Sequence, residues 1–188
     1  KDWLMCASID GTGDIVEFIR KGIVWDEWLA NFKKGLAAPG GKDKMLFDLT
    51  ITGPGMFSIK DLFDLSLELD VRIETKIMFA FHPDIIFSPF AWPKHILVRY
   101  IDELLEYMEP LATHRQFTLI NTLKEMRNRP SFEEEYPDKF AQGKKNGKGF
   151  QDRLDSIRDE KITIADIYKA DDELYEWWMN DERASNET

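Results

Sequence analysis

Apolar and polar positions fall into short and long blocks that alternate along the first half of the chain. Residues 3–9 form an apolar run short enough for a strand, ending in a polar Ser-x-Asp-Gly turn at Ser8 to Gly11. A short helix carrying Arg20 follows. Trp25, Trp28, Leu29, Phe32 and Leu36 then recur at helical spacing, and Asp26 and Glu27 in the first turn suit the helix dipole. Pro39-Gly40-Gly41 breaks that helix. Residues 45–52 read as a second strand and residues 72–81 as a third. Between them, Ile59, Leu62, Phe63, Leu65, Leu67 and Leu69 predict an amphipathic helix with Ser58 as its N-cap. The order β-α-β-α-β has helices long enough to cross between parallel strands. It predicts either part of a (β/α) barrel or the end of an open α/β sheet.

The pattern changes after His82-Pro83. Residues 87–93 form an aromatic, proline-bearing loop. Helices are predicted over 94–109, ended by Pro110, and over 115–127, closed by Pro130. Ser131 and Glu134 have capping-box spacing. Residues 142–149 carry Lys144, Lys145 and Lys148 between glycines and read as a flexible basic loop, either a solvated linker or an anion site. Helices over 150–160 and 164–180 close the pattern, the second capped by Thr163 with Asp166 at N3, and 181–188 form a polar tail. The expected organisation is an α/β half-barrel over 1–92, an α-helical extension over 93–180, and the tail.

Composition narrows the partners. The 188 residues include 43% hydrophobic and 13% aromatic positions, enough for a packed core. A net charge of −10 argues against nucleic acid and against an anionic membrane surface. No apolar run approaches the ~20 residues of a membrane span. The one cysteine, Cys6, excludes an intrachain disulfide and a multi-cysteine zinc site, and fits a reducing, cytoplasmic compartment. His82, His95 and His114 lack metal-ligand spacing.

Candidate chemistry gathers at the predicted carboxyl ends of the strands, where α/β folds bind ligands. Ser8 and Asp10 are two residues apart, so a strand points both the same way. Such a pair suits ribose hydroxyls, and Arg20 suits a carboxylate. The plainer alternative is a Ser-Asp turn with Arg20 on a solvated face. Thr52, Gly53 and Gly55 end the second strand, where glycine permits close approach of a ligand or simply makes a Gly-Pro-Gly turn. Phe79, Phe81 and the loop containing Phe87 and Ser88 offer either a stacking surface for an adenine or a hydrophobic plug. Trp177 and Trp178 read as core-packing residues.

The succession Ser8-x-Asp10-Gly11, then Glu17-Phe18-Ile19-Arg20-x-Gly22, then Trp25-Asp26, resembles the fourth strand and following helix of radical S-adenosylmethionine (SAM) enzymes, in the branch with SPASM or twitch regions. The resemblance implies a partial (β/α) barrel and SAM as cofactor. It implies ribose contacts from Ser8 and Asp10, a carboxylate contact from Arg20, and a SAM-lining role for Thr52, Gly53 and Ser88. A peptide or small metabolite would be the substrate. The family also needs three cysteines for a [4Fe–4S] cluster, which one cysteine cannot supply. The chain is therefore expected to be the C-terminal part of a longer enzyme, inactive by itself and prone to self-associate through an open barrel edge. The alternative is a non-catalytic α/β module that binds a nucleotide or a protein. Reading the coding DNA upstream of Lys1 for a C-x3-C-x2-C loop separates the two.

Overall fold

Three parallel strands, β1 (Met5–Ile9), β2 (Met45–Ile51) and β3 (Arg72–Ile77), lie side by side in chain order. They come from a computed structural model that describes residues 3–78, 86–157 and 162–180. Phe79, Phe81 and the tail at 181–188 lie outside the described residues, so the third strand is seen to Ile77 rather than to residue 81. Before β2 come helices α1 (Gly13–Ile19), α2 (Trp25–Ala37) and a single turn, α3 (Gly41–Lys44). Between β2 and β3 lie a 3-10 helix, Pro54–Ser58, and α4 (Ile59–Leu69). The fold is α/β and mostly helical, with ten α-helices among the described residues.

Strand register sorts the side chains by face. Ser8 stands opposite Asp48, which stands opposite Glu74, and Thr50 stands opposite Lys76. One face therefore carries Cys6, Ser8, Asp48, Thr50, Arg72, Glu74 and Lys76 with one buried apolar residue, Leu46, and the other carries Ile9, Phe47, Leu49, Ile51, Ile73 and Thr75. The apolar face is covered. Trp28 and Phe32 of α2 pack on Phe47, with the Phe32 and Phe47 ring centroids 4.8 Å apart. On the polar face Cys6, Arg72 and Lys76 are exposed, and Ser8, Asp48, Thr50 and Glu74 are half-buried.

The second half is helical where described. A 3-10 turn, Pro89–Ala91, leads into α5 (Lys94–Met108). A second, His114–Gln116, leads into α6 (Phe117–Asn128). Helix α6 lies against β3, where Thr75 and Thr122 hydroxyls are 2.6 Å apart. Buried Gln116 is fully partnered, donating to Ser66 Oγ and the Val71 carbonyl and accepting from Thr113. The chain ends in α7 (Phe132–Glu135), α8 (Pro137–Ile157), α9 (Ile164–Tyr168) and α10 (Asp172–Met179). The predicted helix over 164–180 is thus two helices, because Asp171 caps a new start by accepting from Leu174 N–H.

Two expectations fail for physical reasons. Residues 142–149 are not a loop but part of the 21-residue helix α8. Phe140, Gly143, Gly147 and Gln151 make its buried stripe, and that packing overrides the helix cost of glycine. Lys144 donates to the carbonyls of Trp177 and Asn180 at the end of α10 and lies 4.4 Å over the Trp177 ring. Ser58 is not a capping residue. Its backbone is helical, with φ −105° and ψ −2°, so the 3-10 turn runs straight into α4.

The capping boxes at Ser131/Glu134 and Thr163/Asp166 both form. The bond from Lys169, then those from Thr163, hold the Asp166 carboxyl at about 2 against an ordinary 3.8. A carboxyl lowered by folding stabilises fully above its unfolded value, and the gain disappears as pH falls from about 4 to about 2. An NMR titration of Asp166 should show a midpoint near 2. A midpoint near 4 would mean the box does not form in solution.

Candidate functional site

The carboxyl end of β1 is built around Asp10, which is 5% exposed. Helix α1 buries Val16 and Phe18, and Phe18 stacks on Phe87 with centroids 6.1 Å apart. That docking turns the end of α1 back toward the strand and brings Arg20 onto Asp10. Arg20 Nε donates to Asp10 Oδ2 and Nη2 donates to Oδ1 at 3.2 Å, a two-pronged pair. The bond to Asp10 is the main cause raising the Arg20 guanidinium pKa, with a further pull from Asp48. The sequence spacing anticipated both residues at one strand end, and the structure adds that they grip each other.

Ser8 faces a different partner. Its hydroxyl donates to Asp48 Oδ2 at 3.2 Å, and Lys76 Nζ donates to the same oxygen at 2.7 Å. The Lys76 bond, helped by Ser8 and by the charge of Arg20, holds the Asp48 carboxyl below its ordinary range. Asp48 and Lys76 were not singled out from sequence. A signal was present: Asp48 and Thr50, then Arg72, Glu74 and Lys76, are polar at strand period two. Their meeting with Ser8 follows from strand register, which is non-local.

The remaining sequence candidates are placed as scaffold. Thr52 Oγ1 accepts from Gly55 N–H at 3.0 Å, and Gly53 N–H donates to the Phe87 carbonyl at 2.6 Å. Ser88 has no exposed surface, and its hydroxyl accepts from Phe90 N–H in the 3-10 turn. Thr52, Gly53 and Ser88 thus shape the neighbouring strand end from behind, while Ser8 and Arg20 reach its surface and Asp10 holds Arg20 from beneath. Close packing ties the ends together. A methyl group on Gly55 would sit 2.3 Å from the Asp10 carbonyl oxygen, and one on Gly53 would sit 3.0 Å from Trp92 Nε1 and 3.1 Å from the Tyr168 hydroxyl. Ser58 Oγ, fully buried against Gly11, has no hydrogen-bond partner among the described residues.

Comparison with family models, with curated proteins and with solved structures finds no match for this chain. Among the described residues no three His, Cys, Asp or Glu side chains gather as a metal site, and Cys6 is exposed. No described helix is long and apolar enough to cross a membrane. A groove of about 190 Å³ lies at the opposite, amino end of the strands, between Leu4, Lys42, Arg72 and His114.

Proposed function

We propose that this chain is the C-terminal part of a radical SAM enzyme, and that its polar strand face lines the cavity of a partial (β/α) barrel. One observation carries the reading. The three parallel strands run in chain order with an apolar face under helices and a mainly polar, partly exposed face opposite, and the groups of the S-x-D…R motif sit at the carboxyl end of the first strand. A sheet covered by helices on both sides would be apolar on both.

By resemblance Ser8 and Asp10 would take the ribose hydroxyls of SAM, and Arg20 its carboxylate. Ser8 and Arg20 fit those roles; Asp10, 7% exposed with both oxygens on Arg20, fits instead as the group that holds the guanidinium. A guanidinium has five N–H groups and Asp10 engages two of them, which leaves donors for a second carboxylate. SAM, when bound, supplies the hydrogen-abstracting group in this chemistry. The residues do not fit a [4Fe–4S] cluster, since one thiol cannot replace three. The cluster ligands would belong to another part of the parent protein, and no step is assigned to them. The chain's own share is to bind and orient SAM and to help wall a cavity for a peptide or small metabolite. The β1 edge, with Trp3, Leu4 and Met5 between 42% and 58% exposed, is where further barrel strands or a second copy would add.

Calorimetric titration of the chain with SAM tests the reading. Arg20→Met should weaken SAM binding by roughly 10- to 100-fold, the worth of charge-assisted hydrogen bonds. It should leave adenosine, which has no carboxylate, nearly unchanged. Arg20→Lys, which keeps a charge beside Asp10, serves as the control for folding. If the wild-type chain binds no SAM, or if Arg20→Met binds it as wild type does, the protein is a module of another kind.

A further inference from the structure

We infer that Asp48, held by Lys76, is a positioning residue that fixes the direction of the Ser8 hydroxyl, so that this strand end selects ligands presenting hydrogen-bond donors, namely the paired hydroxyls of a ribose. This rests on the SAM reading and adds a residue and a selection rule to it.

The direction of the bond is forced by chemistry. An ionised carboxylate accepts and cannot donate. Ser8 must therefore give its one proton to Asp48 Oδ2, and its remaining lone pairs face outward. Lys76 on the same oxygen keeps Asp48 ionised and stationary. Asp10 is taken up by Arg20, which holds both of its oxygens, and its side chain is 7% exposed. The surface between Arg20 and Lys76 thus offers the Ser8 hydroxyl as its acceptor, with Asp48 behind it. A ribose diol brings two donors to that surface. A nucleoside stripped of both keeps its 5′-hydroxyl and base amine but brings no donor from C2′ or C3′.

The test is a double-mutant cycle on the full chain, read as affinity for adenosine and for 2′,3′-dideoxyadenosine. Ser8→Ala and Asp48→Ala should each weaken adenosine by about tenfold. The double variant should be no weaker than either, because Asp48 acts through Ser8. Dideoxyadenosine should bind all four proteins alike. Lys76→Met should shift adenosine affinity in the same direction by less. If Asp48→Ala unfolds, Asp48→Asn replaces it. The asparagine keeps the shape but loses the charge that holds Lys76, and should cost adenosine affinity by the same route. Additive losses, equal losses for both nucleosides, or an unaffected Asp48 variant would overturn the inference. SAM binding that still depends on Arg20 would then leave the wider reading standing. A wild-type chain that binds neither SAM nor adenosine overturns both.

Discussion

Gly55→Ala is expected to lower the unfolding free energy by about 3 kcal/mol, at the upper end for forced overpacking. For a chain of this size that is a fall of roughly 6 to 12 °C in Tm. The added methyl would lie 2.3 Å from the Asp10 carbonyl oxygen and 2.6 Å from Thr52 Oγ1. The first obstacle is backbone, so no rotamer change relieves it. Relief requires β1 and β2 to part at their carboxyl ends, which also shifts Asp10 and the Arg20 it holds. If the chain takes SAM as proposed, the melting temperature and the SAM affinity should fall together. Gly149→Ala makes the contrast, since a methyl there meets nothing within 4 Å. Inside α8 it should stabilise by about 0.5–1 kcal/mol. A Gly55→Ala protein that melts as wild type does would show that the strand ends are not locked.

Trp92→Ala should cost about 3–5 kcal/mol, the range for emptying a buried aromatic site. Trp92 is completely buried. It packs on Phe57 and edge-on to Tyr100 and Tyr168, with centroids 5.6 to 6.0 Å apart. Its indole N–H donates to the Tyr168 hydroxyl at 3.2 Å, and burial pushes that phenol's pKa well up. Trp92→Phe keeps most of the ring contact but strands the Tyr168 hydroxyl, and should cost about 1–3 kcal/mol. Urea unfolding of the two variants separates packing from hydrogen bonding. Equal losses would mean that the Trp92–Tyr168 bond carries the site.

Local signals were legible in the sequence and non-local ones were not. The spacing of Ser131 with Glu134 and of Thr163 with Asp166 marked real caps, because a cap is settled within four residues. The leucine-rich pattern at 59–69 gave α4 its bounds. The lysines and glycines of 142–149 suggested a loop because their helix depends on Phe140 and on α10, which single-residue propensity does not register. At the site, Ser8, Asp10 and Arg20 were readable as a set from their spacing. Which of them bond to each other was not. Asp10 pairs with Arg20 through the docking of Phe18 on Phe87, and Ser8 meets Asp48 across forty residues. Ser88 looked like a ligand residue in a proline-bearing loop, yet it caps a buried turn.

The contact between Trp92 and Tyr168 spans 76 residues. At the usual pace of translation those residues take roughly 4 to 15 s to make. For all of that time Gly53 and Trp92 exist without the helix that closes over them. The strand end beside Gly53 is thus closed only after α9 has been made. A ribosome-bound chain would have to shelter a bare indole until α9 arrives.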